Sequence, residues 1–295
     1  VSISDWRLTY DGQGVWPGAD IAFGAPLSPY IFTGMPDTDA APTRSDDTDL
    51  PREDGIVMGV DSRGGLTIPI SLTVNGRTED EGDRLESSLA RAWRADAVRR
   101  TPGAVATLRS HRGRRTFGRP RRYFADGRRS HLGRYDVTAD FATVTDLWFG
   151  DDRAFEASIV AASSGGFRAP FRFPLVTTGF GAGSQSVVVD GDVPAWCRIE
   201  IDGPILNPDV EIFGVLREQF TTYVPEGQTL VFDPRPWSRG VLLDGINVSG
   251  RRLRTSTPLA SAVLPPGEHL FTLRGQSETG TARARVIVAP AFTRY

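Results

Sequence analysis

The chain has 295 residues, 39% hydrophobic and 24% charged, enough for two domains that each bury a core of their own. Its formal net charge of −2 argues against a dedicated nucleic-acid binder, and its single cysteine excludes an intrachain disulfide. No apolar run approaches the roughly 18 residues that a membrane-spanning helix needs.

Thirty-two glycines and 21 prolines lean the composition towards all-β structure. All 34 cationic side chains are arginine, which resembles the coding bias of a GC-rich genome and makes arginine the default surface cation. The start of the sequence, "VSISDWRLTYDGQG", lacks the charged block and apolar stretch of a secretory signal, so folding in a cytoplasm is expected.

In chain order, the first marked feature is the acidic segment "DTDAAPTRSDDTDLPREDG", with Asp37, Asp39, Asp46, Asp47, Asp49, Glu53 and Asp54. Its spacing does not match a calcium-binding loop, so it reads as a solvated loop or as a contact for a basic neighbour. In "GLTIPISLTVNGR", Leu66, Ile68, Ile70, Leu72 and Val74 alternate with smaller or polar residues, the period of a half-buried strand. Pro69 lacks a ladder donor and places that strand at a sheet edge or a bulge.

"TEDEGDRLESSLARAWR" is the one clear helix. Thr78 and Glu81 stand at capping-box spacing, and acids crowd the first turn. Leu85, Leu89, Ala92 and Trp93 then share one face, which fits a helix laid on a sheet.

The next segment, "RSHRGRRTFGRPRRY", carries seven arginines in fifteen positions. Between Arg99 and Arg134 there are 12 arginines, where even spreading gives about four. Glycine and proline spacing favours a twisted hairpin over a recognition helix. "GRYDVTADFATVTDLWFGDD" returns as a strand with Tyr135, Val137, Ala139 and Phe141 on one face. "AASSGGFRAP" reads as a linker, dividing the chain into 1–160 and 161–295.

Beyond it no helical period appears. Short apolar segments alternate with turn signals: "SVVV" before Asp190-Gly191, "CRIEI" before Asp202-Gly203, "VEIF" after Asn207-Pro208 and "TLVF" before Asp233-Pro234. "VLL" and "INV" flank Asp244-Gly245, a two-residue hairpin signature, and "HLFTL" and "ARVIV" follow. The pattern predicts a β-sandwich.

The residues of acid–base, nucleophilic and metal chemistry do not assemble in the sequence. His111, His131 and His269 show no metal-ligand spacing, and the positive charge around the first two disfavours protonation. Cys197 alternates with Ile199 and Ile201 as a buried thiol. No Gly-x-Ser-x-Gly elbow occurs, and "TGFGAGSQS" precedes a strand rather than a helix, which argues against a phosphate cradle. Neither catalytic residues nor a cofactor or metal are expected, and the chain does not read as an enzyme.

The order of these features resembles the distal tail protein (Dit) family of phages with long non-contractile tails, of the kind found in phages of actinobacteria. The resemblance rests on the run from "FTGMPDTDAAP" through "GLTIPISLTVNGR" to the helix and on the aromatic strand end "DLWFGDD". "FRFPLVTTGFG", "CRIEIDGPILNPDVEIFG" and "LPPGEHLFTLRG" extend it through the second half. It implies a mainly β protein of two sandwiches, an N-terminal ring-forming one with a single packed helix and a galectin-like C-terminal one. It also implies a structural virion protein of the tail tip, a six-fold ring hub joining the tail tube to the tip complex, through which DNA passes. Implied partners are copies of itself, the tail tube protein and a tail-tip hub or tail-associated protein, with the tape-measure protein a further candidate. No specific nucleic acid is expected.

A dense arginine lining repeated around a ring would hold a DNA duplex that must slide. Arg112, Arg114, Arg115, Arg119, Arg121 and Arg122 are therefore expected to face a protein neighbour, with the acidic segment at Asp46, Asp47 and Asp49 as their counterpart across a subunit boundary. The alternative reading is a carbohydrate-binding module at the cell surface, with Trp196, Trp237 and Tyr223 as aromatic platforms.

Overall fold

In the computed structural model, which describes residues 5–25, 27–36, 38, 41–159, 184–277 and 279–295, the chain divides into two units. One comprises Val1–Gly150 together with Phe292–Tyr295, and the other Asp151–Ala291. The expected linker 161–170, the segment "FRFPLVTTGFG", most of "TGFGAGSQS", Asp37 and Asp39 lie outside the described residues, as does the expected boundary at 160/161.

The first unit opens with β1 (Trp6–Tyr10), β2 (Ala19–Phe23) and β3 (Tyr30–Phe32). Next come four two-residue strands, β4 (Thr43–Arg44), β5 (Thr48–Asp49), β6 (Ile56–Val57) and β7 (Ser62–Arg63). The alternating segment forms β8 (Thr67–Asn75), with Ile68, Ile70, Leu72 and Val74 fully or almost fully buried. Helix α1 (Glu79–Arg94) and a single turn, α2 (Asp96–Arg99), lead into β9 (Ala106–Arg109), β10 (Arg115–Asp126), β11 (Arg134–Thr143) and β12 (Trp148–Phe149).

The longer strands pair in the order β2-β1-β9-β10-β11-β8-β3, with β12 beside β10. The two ends of this order meet, since the Gly24 N–H donates to the Tyr30 carbonyl at 2.7 Å. The sheet thus rolls over on itself, and Phe23 and Phe32 pack edge to face at 5.8 Å inside it. Pro69 stands opposite Asp140 of β11, while β3 covers β8 only at Leu72–Val74. The missing N–H therefore falls where β8 has no second neighbour strand, as its chemistry requires.

The side chain of Thr78 accepts from the Glu81 N–H at 3.3 Å, and the Glu81 carboxylate accepts from the Arg77 N–H at 2.8 Å. This is a capping box whose return bond lands one residue early. Leu89 and Trp93 are fully buried, each contributing about 1.5–3 kcal/mol of burial. The Trp93 indole donates to the Asp140 carbonyl at 3.2 Å, and Tyr30 and Tyr10 donate to the Leu85 and Ala92 carbonyls at 3.0 and 2.9 Å. Gly82 lets the helix start touch the Gly133 turn, because a Cβ there would meet the Gly133 carbonyl oxygen at 2.6 Å.

In the second unit one sheet orders as β13-β24-β15-β19-β20-β21, with β22 beside β15. These strands are β13 (Arg153–Ser158), β15 (Ala195–Asp202), β19 (Thr229–Asp233), β20 (Gly240–Leu243), β21 (Ile246–Asn247), β22 (Val263–Leu264) and β24 (Arg283–Val288). The other sheet orders as β14-β23-β16-β17, with β18 beside β16. It contains β14 (Gln185–Val189), β16 (Ile205–Ile212), β17 (Leu216–Gln219), β18 (Tyr223–Val224) and β23 (Gly267–Gln276).

Cys197, Ile199 and Ile201 of β15 are buried in alternation, and burial pushes the Cys197 thiol up to about 12. Asp244 and Gly245 both take positive φ, 48° and 81°, and close the expected two-residue hairpin between β20 and β21. One turn signal misleads. Asn207-Pro208 does not precede a strand but sits within β16, at a register break between Leu206 and Asp209 where Asn207 adopts φ 52°.

The edge of β17 is covered by the segment 251–257. The Leu253 and Thr257 N–H groups each donate to β17 carbonyls at 2.9 Å. Glu218, fully buried, holds this segment through a two-pronged ion pair with Arg252, at 2.6 and 2.8 Å. Burial raises the Glu218 pKa to about 7 against the pull of Arg252.

Candidate functional site

The arginine-rich segment is the expected hairpin. β9 and β10 pair through Arg109–Arg115 to Ala106–Gly118. In the turn, the Ser110 N–H donates to the Arg114 carbonyl at 2.7 Å and Gly113 takes φ 82°. A Cβ would strain that φ, so glycine suits the position.

Most of these arginines are spent within the unit. Arg114 donates to the Arg294 carbonyl and lies 3.5 Å over the Phe292 ring. Arg112 donates to the Tyr295 carbonyl at 3.3 Å. The Tyr295 ring packs 5.4 Å from both Trp6 and Trp148, with His111 against it at 5.8 Å. The hairpin turn is therefore a clamp on residues 292–295. Burial lowers the His111 pKa first and the Arg112 charge second, so positive charge is the lesser of two causes.

Arg119 acts in the same inward manner. Its guanidinium donates to the Ala104 and Thr101 carbonyls at 2.8 and 2.9 Å. Arg99 reciprocates from α2, donating to the Pro120 and Arg121 carbonyls at 2.8 and 2.6 Å. Arg115 lies 5.5 Å over the Phe117 ring.

Arg121 and Arg122 differ from the rest. Pro120 faces Phe141 and Tyr123 faces Ala139, so two residues of β10 oppose one of β11. This β-bulge turns both arginines outward, exposed and with no side-chain partner among the described residues. The Arg121 charge helps lower the Arg99 pKa, after burial, which marks a local positive cluster.

The acidic segment is a narrow β-arm rather than an irregular loop. β4 pairs with β7 and β5 with β6, and the Asp47 carboxylate accepts from the Gly59 N–H at 2.8 Å. Asp46, Asp47 and Asp49 are exposed along it, and among the described residues they form no ion pair with the arginine hairpin. Its returning half carries apolar side chains into solvent: Met58 is 75% and Val60 81% exposed, beside Ile56 and Val57. Composition alone hid that feature, since the carboxylates dominate the segment. At its base Arg63 pairs with Asp146 at 3.4 Å.

In the second unit Trp196 and Trp237 pack edge to face at 5.6 Å, with Arg235 5.6 Å from the Trp237 ring. Tyr223 is exposed. Among the described residues no three His, Cys, Asp or Glu side chains gather as a metal site, and no helix is long and apolar enough to cross a membrane.

A rolled sheet closed by one helix, followed by a sandwich, gives the chain the fold of a phage distal tail protein. The Dit protein of phage SPP1, described as a paradigm of the hub adsorption apparatus of phages infecting Gram-positive bacteria, matches it with a TM-score of 0.58 and 12% identity. The match covers 97% of this chain and 99% of that one. Chains of the phage P2 baseplate in its activated conformation, with calcium and with strontium, each match with a TM-score of 0.56 and 11% identity, over 96% of this chain and 97% of theirs. No family model matches the chain, and no curated protein does.

Proposed function

We propose that the protein is a structural component of the phage tail tip, a ring-forming hub that joins the tail tube to the tip complex and lets DNA pass. The observation that carries this reading is a fold shared with a hub protein over both units and nearly the full length of each chain. The surface of the first unit adds support. A slender arm with exposed Met58 and Val60 has little reason to stand in solvent, since isolated two-stranded ribbons are marginal in water. An arm of this kind gains order from a neighbour.

In a ring each contact is heterologous, so different patches meet. The acidic arm with Asp46, Asp47 and Asp49 pairs by charge with the outward Arg121 and Arg122 of the next subunit. The other proposed partners are the tail tube protein, a tail-tip hub or tail-associated protein, and the tape-measure protein. The work is structural, with no catalytic step, cofactor or metal, and its place is the virion.

Light scattering on the purified protein, followed by negative-stain imaging of the largest species, tests this. A closed ring of about six copies with an open centre is the expected result. A monomer that stays monomeric in the presence of tail tube protein would overturn the hub reading.

A further inference from the structure

Three adjacent strands of the second unit bring unlike side chains into one row. Tyr223 of β18 stands opposite Leu206 of β16, and Leu206 stands opposite Gln276 of β23. The row forms one wall of a cavity of about 420 Å³ that Pro204, Glu226 and Thr279 also line. That volume lies within the range of small-molecule sites, roughly 300–1,000 Å³.

The chemistry of the lining is selective. Tyr223 is 54% exposed, and its ring has no aromatic or cationic partner among the described residues. Leu206, 37% exposed, extends the apolar floor. Around it stand an amide that donates and accepts, a hydroxyl that does both, and a carboxylate that accepts. In a chain with 34 arginines, none lines this cavity among the described residues. Glu226 instead repels anions. A ligand that offers a C–H face to an aromatic ring and hydroxyls to amide and carboxylate, without negative charge, is a neutral saccharide.

We infer that this cavity binds a neutral sugar, through stacking on Tyr223 and hydrogen bonds to Gln276, Glu226 and Thr279. The site is distinct from the Trp196–Trp237 pair, whose rings pack on each other. It does not depend on ring assembly, and its failure would leave the hub reading intact.

Saturation-transfer NMR on the full chain tests it, with glucose, galactose, mannose, N-acetylglucosamine, maltose, lactose and chitobiose as probes. Binding of at least one probe with Kd in the millimolar range is expected. It should weaken tenfold or more in Tyr223→Ala and in Gln276→Ala, with unchanged melting temperatures, and persist in Phe213→Ala, which removes another exposed aromatic of the same unit. Three results would each overturn the inference: no signal from any probe at about 20 mM, full binding in folded Tyr223→Ala, or binding only of sialylated or phosphorylated sugars.

Discussion

Replacing Arg114 by Ala separates an inward role for the arginine hairpin from an outward one. Arg114 makes a charge-assisted hydrogen bond to the Arg294 carbonyl, a kind of bond that contributes about 1.5–3 kcal/mol net. Its stacking over Phe292 at 3.5 Å adds about 0.5–1 kcal/mol for a partly exposed pair. Loss of both should destabilise the first unit by about 2–4 kcal/mol, or about 4–16 °C for a unit of its size. Tryptophan fluorescence during thermal or urea unfolding reads this directly, because Trp6 and Trp148 both touch the clamped Tyr295 ring. The paired substitution Arg121→Glu with Arg122→Glu should leave stability within about 0.5 kcal/mol, as expected for exposed side chains without partners. It should instead abolish the large species in light scattering. The division of labour is refuted if Arg114→Ala melts like the parent, or if the paired variant forms normal rings.

Three further outcomes follow from particular contacts. Reversing the arm with Asp46→Arg, Asp47→Arg and Asp49→Arg should block assembly in parent protein, and should restore it when mixed with the Arg121→Glu, Arg122→Glu variant; sedimentation of the mixture checks this. Gly82→Ala should destabilise the first unit by about 1–3 kcal/mol despite Ala's higher helix propensity, because its Cβ collides with the Gly133 backbone; a urea titration checks the sign. Glu218 has a folded pKa of about 7, above the 4.5 of a free carboxyl, so its protonated form favours the native state. Its contribution is therefore full below pH 4.5 and lost as pH rises through 7, a swing of about 3 kcal/mol. Stability of the second unit measured against pH should show this fall in the parent and not in Glu218→Gln.

The fold was legible where one physical rule acted alone. The alternation from Leu66 to Val74, the Thr78 cap and the Asp244-Gly245 turn each reflect local geometry, and each stands as read. Asn207-Pro208 misled because both residues also suit a bulge: asparagine tolerates positive φ, and proline needs a place with no ladder donor. The arm was read as a loop because its ladders are two residues long, too short to impose a period on the sequence.

The arginines were harder, and the reason lies in what a guanidinium can do. Five donors on a long stem satisfy carbonyls at the ends of loops as readily as they meet a carboxylate on another molecule. Arg119 and Arg99 cross-tie the connection between α2 and β10, and Arg112 and Arg114 hold a segment some 180 residues away in sequence. No local pattern encodes such a partner. The "RPRR" stretch did carry a usable signal, however. Proline followed by two arginines inside an otherwise alternating strand breaks the period by one residue, and a broken period in a paired strand is a bulge. Counting charges placed every arginine of the run on one footing, whereas following the strand's phase singles out Arg121 and Arg122. The bulge, more than the abundance of arginine, sets which charges of the hairpin are left exposed and without a side-chain partner among the described residues.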